Sequence, residues 1–198
     1  MASVFPDALL AERVLVLVPL VLGLVIGVAT GGKIGNLADL KFRWPWFVLV
    51  VLVVREAVIL TPLNQVDGMQ YVYAAALAAL VAWTALHVKR LPGVWVVTLG
   101  AAMNLIVIVA NGARMPVAPA LATTFQHRGH LGQYVLMSSS TNLNWLADWI
   151  GFPWPVRGAY SPGDLVIALG IGIVALLAVI HRPEAGTKLG ETSSRIGR

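Results

Sequence analysis

The sequence predicts an all-α integral membrane protein: a bundle of five transmembrane helices with a long outer loop that carries an interfacial helix. Three observations predict it. Hydrophobic residues make up 58% of the 198 residues and charged residues only 12%, against roughly 25% charged in soluble domains. The mean hydropathy is +0.80. The apolar residues gather into five runs, and the basic residues between the runs favour alternate sides.

The runs are 14–29, 46–60, 71–87, 94–111 and 165–180. At 1.5 Å per residue each reaches, or nearly reaches, across a hydrocarbon core of about 30 Å. The residues before the first run include Asp7, Glu12 and a single base, Arg13. A cleavable signal needs a positive n-region, so the first run is expected to stay in the mature chain. It carries Gly23 and Gly27, a small-xxx-small pair that allows close backbone approach, and the third run carries Ala75, Ala79 and Ala82 to the same end. Packing within one chain is the expected use. No repeat of the kind that builds two-halved transporters is evident.

Lys33, Lys41 and Arg43 follow the first run, Lys89 and Arg90 follow the third, and Arg182, Lys188, Arg195 and Arg198 follow the fifth. The opposite side holds Arg13, Arg114, Arg128 and Arg157. By the positive-inside rule the N-terminus is expected outside and the C-terminus in the cytoplasm, in an inner (cytoplasmic) membrane. Trp44, Trp46 and Trp95 fall at inner boundaries while Trp145, Trp149 and Trp154 crowd the outer segment, as indoles do at interfaces. Residues 1–182 thus form one transmembrane domain, and 183–198 read as a flexible cytoplasmic tail. The formal charge of +5 is explained by these loops, which argues against nucleic acid as a partner. With no cysteine, disulfides, thiolate metal sites and cysteine nucleophiles are excluded.

Residues 112–163 form an outer lid far longer than the 2 to 8 residues usual between helices. Its aromatic content argues for order, and LNWLADWIGFPWP is expected to form a short interfacial helix, with Thr141 or Asn142 as N-cap and Pro153 at its end. Gly112 is expected at C′ of the fourth helix, with Pro116 preventing continuation. Ser161, Pro162 and Asp164 fit an N-cap, an N1 proline and an N3 acid of a capping box.

The predicted directions of the helices place Arg55, Glu56, Asn104, Asn111, Arg114 and Asp164 between the midplane and the outer face, with Asp148 in the lid above them. A charge at the bilayer centre costs about 2.5 to 3.5 kcal/mol, so Arg55 and Glu56 should face the bundle or a wet cavity. Adjacent residues diverge by about 100° on a helix, which makes these two a poor direct pair. Asp164 or Asp148 is the expected partner of Arg55, and Asn104, Asn111 or Arg114 that of Glu56. Asn104 and Asn111 lie seven residues apart on one helix face. The seven together suggest a site for a small polar ligand or a lipid headgroup, or a contact for a membrane-protein partner; a structural subunit of a membrane complex is an alternative reading. His127 and His130 lack the further ligands a metal needs, and no cofactor is expected.

ANGARMPV, the LADWIGFP around Asp148, and YSPGDLVIALG together resemble a bacterial polytopic membrane family labelled as a domain of unknown function. That resemblance implies about five spans and no assigned activity. TNLNWLADWIGF followed by YSPGDLVIALGIGIVALL is also similar in layout to the lipoprotein signal peptidases, membrane aspartic proteases. That likeness implies catalytic roles for Asp164 and Asp148, although the spacing of Asn142 and Asn144 and the YSPGD motif depart from the family pattern. Two carboxylates sharing a proton would suit such hydrolysis.

Overall fold

The computed structural model describes residues 5–40, 42–122, 132–153 and 158–181, with side chains of the first helix placed from Val14 onward. Five α-helices run through these residues: α1 Phe5–Ala29, α2 Pro45–Leu60, α3 Met69–His87, α4 Val94–Ala110 and α5 Pro162–Ile180. Each covers the apolar run expected for it except α4, which stops one residue short at Ala110, and α1 starts earlier, at Phe5. Two of them, α3 and α5, are long and apolar enough to cross a membrane. Only 22% and 33% of their apolar windows are buried inside the chain. His127, His130, Trp154 and the tail 183–198 lie outside the described residues.

The helices pack in the order α1, α5, α4, α3, α2. Glycines make α5 the central member. Gly170 and Gly172 are two residues apart, so they point to nearly opposite faces of a helix turning 100° per residue. A Cβ on Gly172 would come within 2.8 Å of the Pro19 carbonyl oxygen of α1, and one on Gly170 within 2.7 Å of the Val97 nitrogen of α4. Gly23 meets Gly172 and Gly27 meets Val179, so the small-residue pair of α1 is used within the chain. On α3 the buried alanines are Ala74 and Ala76, whereas Ala75 and Ala82 face outward. The expected stripe is therefore displaced, because the α4 contact and Trp83 fix a different face inward.

The segment after α4 folds as a small β-cap. β1 Met115–Val117 pairs in parallel with β2 Tyr134–Leu136, and Asp148 bridges to Val117 on the other side of β1. The Asp148 N–H donates to Pro116 O at 3.0 Å, and the Ala118 N–H donates to Asp148 O at 2.9 Å. β3 Ile150–Phe152 pairs antiparallel with β4 Gly158–Tyr160, which leads into α5. The expected interfacial helix is thus replaced by one 3-10 turn, Asn144–Leu146, and a strand. The reason lies in competing bonds. Leu143 stands in the left-handed region at φ 56°, Asp148 gives its backbone to β1, and the polar groups of Thr141 and Asn142 bond within or across the cap rather than start a helix. Met115, Leu146 and Ala147 of the cap close over Val107 and Ile108 of α4 and Ala74 and Leu77 of α3.

Candidate functional site

The end of α4 sets the first part of the site. Asn111 is its C-cap, followed by Gly112 at φ 65° as the expected C′ residue. The Asn111 amide reaches across to the cap: its Nδ2 donates to Val107 O at 2.8 Å and to Asn142 O at 2.9 Å, and its Oδ1 accepts from the Asn142 N–H at 2.8 Å. Asn142 Nδ2 returns a bond to Ala110 O at 3.0 Å. Arg114, half-buried just before β1, keeps its Nε buried without a hydrogen-bond partner among the described residues.

Two turns earlier, Asn104 does a different job. Ser161 and Asp164 form the capping box of α5: Ser161 Oγ accepts from the Asp164 N–H at 3.0 Å, and Asp164 Oδ2 accepts from the Ser161 N–H at 2.9 Å. Asn104 closes this box from α4. Its Nδ2 donates to Asp164 Oδ1 at 2.7 Å, and its Oδ1 accepts from Ser161 Oγ at 2.8 Å. Ser161 is fully buried and Asn104 is 8% exposed, so each polar atom has taken its partner in place of water. Both Asp164 oxygens are thereby held as hydrogen-bond acceptors.

On α2, Arg55 Nη1 donates to Glu56 Oε1. This corrects the expected pairing. The backbone positions diverge, but the two long side chains curl together, and Arg55 lies over the Tyr73 ring of α3 with its Cζ 5.6 Å from the centroid. Glu56 does not bond Asn104 or Asn111, whose amides are engaged elsewhere. The side chains of Arg55 and Glu56 keep 29% and 43% of their surface exposed.

Tyr73, which the sequence reading missed, links these parts. It lies within Coulombic reach of Arg55, Asp164 and Asp148, and Tyr134 of β2 also lies within reach of Arg55. Charges from α2, α5 and the cap therefore all act on one phenol on α3. Of the seven expected residues, Asn104 and Asp164 are bonded to each other, Arg55 and Glu56 pair, and Asp148 and Asp164 lie within Coulombic reach of Tyr73. Asn111 instead anchors the cap. The signal for Tyr73 was present in the sequence: a phenol in an apolar run must find a partner for its hydroxyl.

A second polar cluster, also missed, lies at the other end of α3. Trp83 Nε1 donates to Arg43 O at 2.9 Å, and the Arg43 N–H donates to His87 Nε2 at 3.0 Å.

Residues 39–176 match the sequence model of DUF5317, a family of unknown function. No curated protein and no solved structure matches the chain.

Proposed function

The chain belongs to the DUF5317 family, and we propose that it is an integral membrane protein of five spans whose outer half binds a small polar ligand or a lipid headgroup around Tyr73. The N-terminus is outside and the C-terminus cytoplasmic in this reading. Exposed apolar side chains support the membrane setting: Leu17, Val21, Val25, Leu49, Val53, Leu99 and Ile106 all face away from the bundle, as lipid-facing residues do and soluble surfaces avoid.

The observation that carries the ligand reading is Arg55 of α2 lying over the Tyr73 ring of α3, with Asp148 and Asp164 within Coulombic reach of the same phenol. Packing alone rarely needs three ionisable groups from three elements inside an apolar chain, and intramembrane charges of this kind mark ligand and ion sites. Glu56 balances Arg55, so the surroundings offer both donors and acceptors, which favours recognition by hydrogen bonds over apolar fit. The aspartic-hydrolase reading is less favoured, since Asp164 would first have to give up its bonds to Asn104 and Ser161.

The test is native mass spectrometry of the protein purified in mild detergent, compared with Tyr73→Phe and Arg55→Met. A bound polar small molecule or lipid on the wild type, lost at least fivefold in both variants, is expected. A wild type that carries only detergent and bulk lipid, or variants that retain the adduct fully, would overturn the proposal.

A further inference from the structure

The second polar cluster lies fourteen residues along α3 from Tyr73, or about 21 Å at 1.5 Å per residue. There α3 holds one residue of the α1–α2 connection in a clamp. The Arg43 N–H donates to His87 Nε2 at 3.0 Å, and the Arg43 carbonyl accepts from Trp83 Nε1 at 2.9 Å. His87 Nδ1 faces Trp83 O at 2.7 Å. Because Nε2 accepts, the neutral ring carries its proton on Nδ1 and donates it there. The two rings stack at 4.0 Å, Phe42 stacks on Trp83 at 6.2 Å, and both clamp residues are buried.

What the clamp presents is unlike its interior. Arg43 is exposed, and its Cζ lies 4.9 Å from the centre of the Trp44 ring. Trp44 takes φ 52°, a left-handed conformation that an L residue adopts only when its surroundings impose it. Trp44 and Trp46 leave 50% and 61% of their surface exposed. Lys89 and Arg90 stand two and three residues after His87 and are exposed too, and the Arg90 N–H bonds His87 O at 2.8 Å. Asp39, the nearest acid in sequence, forms no ion pair with these bases among the described residues.

We infer that this loop is a docking site for the headgroup of an anionic glycerophospholipid in the leaflet that it faces. The inference rests on the membrane reading above but not on a ligand at Tyr73. A guanidinium matches phosphate oxygens two at a time, which a zwitterionic headgroup would partly mask with its own ammonium. Indoles settle at headgroup depth, and bases beside a helix end draw anionic lipid. The clamp contributes preorganisation: Arg43 and Trp44 are set by buried rings on another helix, so binding need not order the loop.

Binding of dioleoyl phosphatidylglycerol, dioleoyl phosphatidylcholine and inorganic phosphate to the full chain in dodecyl maltoside is the measurement, by native mass spectrometry and by thermal unfolding. The wild type should bind the phosphatidylglycerol at least fivefold more tightly than the phosphatidylcholine, and phosphate at equal phosphorus should give no protection. Arg43→Gln combined with Arg90→Gln, both at exposed sites, should abolish the preference, and Tyr73→Phe should preserve it. His87→Phe retains every base but releases the Arg43 N–H, and should weaken the preference several-fold. Equal binding of the two lipids, protection by phosphate alone, or an unchanged preference in the doubly substituted chain would overturn the inference. Failure to enter liposomes of either lipid would instead overturn the membrane reading itself.

Discussion

Gly163→Ala tests the junction of α4 and α5 most directly. An added Cβ would overlap Asn104 Oδ1, lie 2.7 Å from Asn104 Cγ and lie 2.8 Å from the Gly100 carbonyl oxygen. The carbonyl belongs to a helix backbone and cannot yield alone, so the amide must withdraw, by about 1 Å or more to restore an ordinary contact. Its bonds of 2.7 and 2.8 Å to Asp164 and Ser161 then stretch beyond hydrogen-bonding range. Overpacking costs about 1 to 3 kcal/mol, and each interhelical hydrogen bond in a membrane about 0.6 kcal/mol. Together these predict a destabilisation of about 2 to 4 kcal/mol.

Asn104→Ala removes the same two bonds and leaves buried Ser161 Oγ without its acceptor, for about 1 to 2 kcal/mol. The double variant separates the causes. With the amide gone the main clash is gone, and the shared bonds are lost only once, so the double variant should be about 1 to 2 kcal/mol more stable than the sum of the singles predicts. Equilibrium unfolding in detergent, followed by tryptophan fluorescence, measures all three differences. Additivity within about 0.5 kcal/mol would refute the interlock, because it would mean that Gly163 and Asn104 do not share a contact.

Two further substitutions probe the rest of the frame. Asn111→Ala cuts two bonds between α4 and the 141–144 turn and one within α4, so amide exchange in 132–153 should quicken about tenfold while α5 is unchanged, as expected for local opening worth about 1.4 kcal/mol. Gly23→Val would drive a side chain into the Gly172 backbone and should destabilise the chain by about 3 kcal/mol, read as a lowered midpoint of unfolding; a variant of wild-type stability would contradict the α1–α5 contact.

Much of this frame was legible in the sequence because hydrophobic runs and helix boundaries are local signals. The capping box at Ser161 and Asp164, the C′ glycine at 112 and the Gly23/Gly27 pair follow from residue types at fixed offsets, and all three occur where expected. The lid did not follow, because LNWLADWIGF has helical amphipathicity that its partners override: β1 takes the backbone of Asp148, and Asn111 takes that of Asn142. Side-chain partners were the least legible. That Arg55 would turn to Glu56 beneath Tyr73, or that Asn104 would close a cap on another helix, depends on which helices become neighbours, and the order α1, α5, α4, α3, α2 is not written in any single run.

That order also distinguishes the groups around Tyr73 by how firmly each is held. Asp164 is fixed by Asn104 and Ser161 at the start of the central helix. Asp148 is fixed through its backbone, whose N–H and carbonyl both bond the β1 segment. Arg55 sits on α2, an end member of the row that packs chiefly on α3; its ion pair is with a residue of its own helix, and its contact with Tyr73 ties it to α3. Of these groups Asp164 is held by its carboxylate itself, Asp148 through its backbone, and Arg55 through its contacts with Glu56 and Tyr73.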